Sequence, residues 1–135
     1  MIGYMLNFKE RHMEDEFLQL DSRLQGIVYM YATWMRFAYK SVVWPTTITD
    51  VFRKSDTSVH GDFRGCDVRT RGIDTGAVAA AVAFINSITV YDPQRPEMKC
   101  AVYKLTGKEA EKYGAHEDHV HFQVHPNTTF VVKEA

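Results

Sequence analysis

The sequence predicts an α+β fold. Three observations carry the prediction. Apolar residues recur at spacings of three and four over residues 14–40, residues 74–91 run alanine-rich behind an aspartate, and the second half alternates apolar and polar residues as strands do. The implied order is helix, strand, loop, helix and then strands, with an antiparallel sheet in the second half. A chain of 135 residues suits one domain, 1–135. A domain near that size buries about 68% of the surface its unfolded chain exposes, so a hydrophobic core forms without disulfide support.

The first helix is expected over residues 14–40. Phe17, Leu20, Leu24, Ile27, Val28, Tyr31, Trp34, Met35 and Ala38 form its apolar stripe. Glu14, Asp15 and Glu16 in the first turn and Arg36 and Lys40 near the end suit the helix dipole. Gly26 weakens its middle. Residues 42–53, "VVWPTTITDVFR", are β-branched and aromatic and read as extended structure interrupted by Pro45. A second helix is expected over 74–91, with Asp74 as its N-cap. "DPQRP", residues 92–96, reads as a turn. Residues 98–105 and 119–124 alternate like strands, and "TTFVVK", 128–133, adds one more. The long polar connection 106–118 is of the kind that borders a site.

Composition narrows the function classes. Hydrophobic residues make up 45% and charged residues 24%, ordinary for a globular protein. A net charge of −1 supplies no broad basic field for nucleic acid or anionic lipid. No run of 18 apolar residues suggests a membrane span, and "MIGYMLNFKERHMEDEF" lacks the positive-then-apolar order of a secretory signal. The expected location is the cytoplasm, and action outside the inner membrane would need a separate means of release. Cys66 and Cys100 match neither a disulfide scaffold nor a CxxC metal motif and read as free thiols.

Two stretches carry chemistry. "TSVHGDFRGCDVRT", 57–70, sets His60 seven positions before Asp67, and "HEDHVHFQVH", 116–125, contains His119 and His121. On a strand, Val120, Phe122 and Val124 point to the core, while His119, His121 and Gln123 share the other face. Histidines at i and i+2 then reach one small object. His60, Asp67 and one of the later pair offer two nitrogens and one oxygen. Three such ligands with a fourth position open is the pattern of a catalytic zinc site.

These residues resemble the LAS metallopeptidases, named for lysostaphin, D-alanyl-D-alanine metallopeptidases and sonic hedgehog. Similarity is greatest to the branch of D-Ala-D-Ala carboxypeptidases and phage endolysin L-alanyl-D-glutamate peptidases. Its first motif runs S-x-H-x-x-G-(R)-A-x-D, and Ser58, His60, Arg64 and Asp67 fall at matching positions. Phe63 stands where glycine is usual, and Gly65 where alanine is usual. The second motif, an acid, two residues and a ligand histidine, is matched by Asp118 and His121. Arg53 fits the arginine that ends a strand before the first motif. The match covers residues 45–125 and, more loosely, the first helix.

The resemblance implies a hedgehog/DD-peptidase-like fold, an antiparallel sheet with flanking helices. It implies Zn²⁺ held by His60, Asp67 and His121, and hydrolysis of a peptidoglycan stem peptide or another peptide containing D-amino acids. Asp118 is the expected general base, placed in the loop end with the strand starting at His119. His119 is the competing base, or a donor to the tetrahedral intermediate. Arg53 stabilises the oxyanion or holds a substrate carboxylate. Arg64 and Ser58 are expected to bind substrate or brace the loop, and Gln123 to be a partner behind the ligands. Glu117, His116 and His125 read as surface residues, and His12 as a residue without a visible partner. A second class stays open: a catalytically inactive metal-binding module of the same fold, with a binding or assembly role, favoured if the Phe63 ring blocks the open zinc position.

Overall fold

Two amphipathic segments and a set of short β-branched runs have to bury their apolar sides together, and a sheet under helices is the result. The computed structural model describes residues 5–38, 46–51, 62–103 and 119–131. In chain order these residues form β1 (Leu6–Phe8), α1 (His12–Leu18), α2 (Ser22–Ala38), β2 (Thr46–Asp50), β3 (Gly65–Arg69), α3 (Thr75–Ile88), β4 (Thr89–Val90), β5 (Ala101–Val102), β6 (His119–Gln123) and β7 (Thr129–Phe130). The main sheet has the order β1-β2-β3-β6-β5, and β4 pairs with β7 in a separate ribbon. Every pair is antiparallel except β1 with β2 at one edge. The α+β expectation stands. The sheet, however, draws β1 and β2 from the first half of the chain as well as strands from the second.

The single helix expected over 14–40 is two helices. The chain breaks at Gln19–Asp21, where Asp21 starts α2. Its Oδ1 accepts from the Arg23 backbone N–H at 2.9 Å, and its carbonyl accepts from Gln25 N–H at 3.1 Å. Arg23 holds the Asp21 carboxyl below its usual range, chiefly by side-chain hydrogen bonding. The same guanidinium donates to the carbonyls of Pro126 and Thr128, tying the break to the far end of the chain. Leu20 stays buried inside the break, which is why the apolar spacing looked continuous. His12 opens α1 and is bonded to Glu10 at 2.7 Å and Glu16 at 3.1 Å, so it does have partners.

Helix α2 runs through Gly26 and buries Leu24, Ile27, Val28, Tyr31 and Met35 against the sheet and α3. The Tyr31 ring meets Phe122 of β6 edge-on at 5.1 Å, and Trp34 stacks on Phe84 of α3 at 4.8 Å. Asp74 caps α3 as expected, accepting from Ala77 N–H at 2.9 Å. The helix stops at Ile88 rather than residue 91. Thr89 turns extended there, and its hydroxyl donates to the Ile85 carbonyl at 2.8 Å. The turn at 92–96 is built on Asp92, which accepts from Gln94 N–H at 3.0 Å. Of the strand expected over 98–105, β5 takes 101–102, and residues 104–105 lie outside the described residues, as does the connection 106–118. Among the described residues no helix is long and apolar enough to cross a membrane.

Strand β6 fixes the face on which the site sits. Val120, Phe122 and Val124 are fully buried, and each such side chain contributes about 1.5–3 kcal/mol. A one-residue slip would trade that row for His119, His121 and Gln123. The register is therefore set by hydrophobic burial, and the histidines are placed as a consequence.

Candidate functional site

The sequence pattern places Asp67 in a loop. It lies instead on β3, at the centre of the main sheet. Cys66 and Val68 point into the core, so Asp67 and Arg69 take the opposite face. The β3–β6 register then sets Asp67 directly opposite His121, Arg69 opposite His119 and Gly65 opposite Gln123. Side chains opposite each other across antiparallel strands share a face. Two motifs 54 residues apart thus meet.

The Asp67 carboxylate and the His121 ring are in contact, Oδ1 to Nδ1, at 2.8 Å. The second carboxylate oxygen, Oδ2, lies 3.9 Å from His119 Nε2. Gln123 stands behind His121, with its Oε1 3.1 Å from Nε2. The amide is itself held, because Gln123 Nε2 donates to the Lys99 carbonyl at 2.8 Å. Both ring nitrogens of His121 therefore face oxygen acceptors. A neutral imidazole carries one N–H and serves one of them at a time, while the other nitrogen keeps a lone pair.

The donor set suits a small, hard-to-borderline cation such as Zn²⁺. Two atoms bound at about 2.1 Å to one tetrahedral zinc lie about 3.4 Å apart. Asp67 Oδ1 and His121 Nδ1, at 2.8 Å, are closer than that. Among the described residues no group of three or more His, Cys, Asp or Glu forms a ready metal cage. The pair supplies two donors. The third expected ligand, His60, lies outside the described residues, as do Arg53, Ser58 and Asp118 with its neighbours His116 and Glu117.

Arg64 sits where the chain enters β3. Its guanidinium donates to the Val124 carbonyl at 3.0 Å and to Asp62 at 2.9 Å, and its own carbonyl accepts from Val124 N–H at 3.0 Å. These bonds clamp the turn to the end of β6. Phe63, in the position where the resembling family carries glycine, has a φ of +56°. That is the left-handed region, costly for a residue with a Cβ. The turn geometry that favours glycine is present, and Phe63 adopts it with its ring packed against the hydrophobic core. The Phe63 carbonyl accepts from Asp21 N–H at 3.0 Å, joining this turn to the start of α2.

Cys66 and Cys100 are free and buried. Burial, reinforced by the charges of Asp67 and Asp50, pushes the Cys66 thiol well up, so it stays protonated and inert. His125 is half-buried rather than a surface residue. Its Nε2 lies 3.8 Å from the buried carboxylate of Asp92, and its ring rests 5.6 Å from Tyr91.

Two residues near the centre were not singled out from the sequence. Continuing the Ile48–Val68 register would set Asp50 opposite Cys66, but a bulge sets it opposite Asp67. The available signal was the three-residue spacing of buried Ile48 and Val51, where strand alternation gives two. The other is Arg69, two positions beyond Asp67 and legible by the same alternation once β3 is recognised as a strand. Comparison of the chain with protein-family models, with curated proteins and with solved structures finds no match.

Proposed function

We propose that this chain is a zinc-dependent peptidase of the LAS type, with a hedgehog/DD-peptidase-like fold, acting on bacterial cell-wall stem peptides or similar peptides containing D-amino acids. One observation carries the reading. Asp67 and His121, each a ligand position of the resembling motifs, are cross-strand partners in contact at 2.8 Å. A mostly antiparallel sheet with flanking helices agrees with the fold.

Asp67 and His121, with His60, would hold the metal. When bound, zinc would supply a water of lowered pKa, toward about 7, and a Lewis acid for the carbonyl under attack. Gln123 orients the His121 ring from behind. Asp118, just before β6, takes the proton from the attacking water and delivers one to the leaving amine. His119, beside Asp67 on the same face, donates to the developing oxyanion and is the competing base. Arg53 adds paired hydrogen bonds to an oxyanion or carboxylate. Packing of the Phe63 ring on the core supports an open site over the inactive-module alternative.

The test is digestion of purified peptidoglycan with mass analysis of the products. The expected result is new amino and carboxyl termini within stem peptides, lost with a chelator and restored by zinc. Products showing glycan-strand cuts alone, or no products, would exclude the reading.

A further inference from the structure

Arg69 ends β3 on the same face as Asp67 and directly opposite His119, which places it diagonal to His121. Its side chain is exposed, whereas Asp67 is buried and His121 half-buried. Among the described residues its guanidinium makes no hydrogen bond or ion pair. Its neighbours in kind differ. Arg64 is bonded to Asp62 and a carbonyl, Arg23 to Asp21 and two carbonyls, and Arg95 to Asp92. Asp67 is an acid of opposite charge two residues away on the same face, yet it engages His121 instead. The result is an open fork of N–H donors at the rim of the Asp67–His121 centre.

We propose that Arg69 binds a free carboxylate of the substrate, so that the site selects peptides whose scissile bond lies within about one residue of a carboxylate. The inference rests on reading the Asp67–His121 pair as the peptidase centre. Same-face neighbours on a strand are about 6.6–6.8 Å apart, a span that an arginine side chain covers. One peptide residue advances at most about 3.6 Å. A scissile bond at the Asp67–His121 centre therefore leaves an adjoining carboxylate within reach of the guanidinium. The planar fork matches a carboxylate with two parallel hydrogen bonds, a match that lysine does not reproduce. The carboxylate has two possible sources in peptides of this class: a C-terminus, or the α-carboxylate of a γ-linked glutamate.

Wild type, Arg69→Gln and Arg69→Lys are compared on a D-alanyl-D-alanine peptide with free or amidated C-terminus. They are also compared on an L-alanyl-γ-D-glutamyl peptide with free or amidated α-carboxylate. Wild type should prefer one free acid over its amide by about tenfold or more in kcat/KM, mainly through KM. Arg69→Gln should erase that ratio, and Arg69→Lys should restore part of it. Zinc content and melting temperature should be unchanged in both variants. The pair that loses its ratio identifies the source. An equal ratio in wild type and Arg69→Gln, or no acid preference in wild type, overturns the proposal. Binding of N-acetyl-D-alanine and its amide, followed by NMR titration, separates the two failures. Carboxylate binding that depends on Arg69 in a protein that cleaves nothing would sink the peptidase reading and keep the carboxylate site.

Discussion

Replacing Phe63 with alanine and, separately, with glycine isolates the backbone cost at the turn into β3. Both substitutions remove the same ring, half-buried against the core. That loss is about 2 kcal/mol, near half the cost of a fully buried phenylalanine, and it cancels in the comparison. The difference lies in the backbone. Alanine keeps a Cβ at a φ of +56°, a conformation costing roughly 1–2 kcal/mol that glycine avoids. Glycine in turn gives up about 0.4–1 kcal/mol through the freedom of its unfolded chain. The strain term is the larger, so Phe63→Gly should be more stable than Phe63→Ala by about 0.5–1 kcal/mol. At ordinary positions the order is the reverse. Urea unfolding with a common slope reads the difference as a shift in midpoint. An alanine variant as stable as the glycine variant, or more so, would refute the left-handed turn at Phe63.

Asp21→Ala should cost about 1 kcal/mol as a lost N-cap, and more if Arg23 then releases the 126–128 segment, read by thermal unfolding against wild type. Because Arg23 depresses the Asp21 carboxyl in the folded state, that stabilisation is present above the unfolded carboxyl's pKa, near 3.9, and is lost as pH falls through the folded value. Wild type and Asp21→Ala should therefore converge in stability at low pH, and a constant gap there would contradict the assignment. Asp118→Asn should keep zinc and fold while losing about 10²–10⁴-fold in turnover, with a smaller loss in His119→Ala. Near-normal turnover in Asp118→Asn with collapse in His119→Ala would move the base to His119, and lost zinc in Asp118→Asn would make Asp118 a ligand.

Legibility in the sequence followed the strength of local patterning. Strand β6 was readable because Val120, Phe122 and Val124 alternate without interruption, and α3 because Asp74 caps an alanine run. The break between α1 and α2 was not, since Leu20 and Leu24 keep helical spacing across a cap that acts through the Asp21 side chain. Strand β3 was hidden by its own chemistry. Gly65 and Asp67 are poor strand formers taken alone, and tertiary pairing on both sides with β2 and β6 overrides them. Strand β1 has three residues, too few for a period to register. In the site, the shared face of His119, His121 and Gln123 was legible, while Asp50 was not, because its placement depends on a bulge. Arg64 carried a motif match, but its bonds to Asp62 and Val124 follow from a turn that only the fold reveals.

The proposed zinc site at Asp67 and His121 is open to elemental analysis of purified wild type, Asp67→Ala and His121→Ala, each checked for fold by circular dichroism. About one zinc per chain is expected in wild type, removable by chelator, with strongly reduced occupancy in both folded variants. Undiminished zinc in both folded variants, or a wild type that takes up none when zinc is supplied, would contradict it.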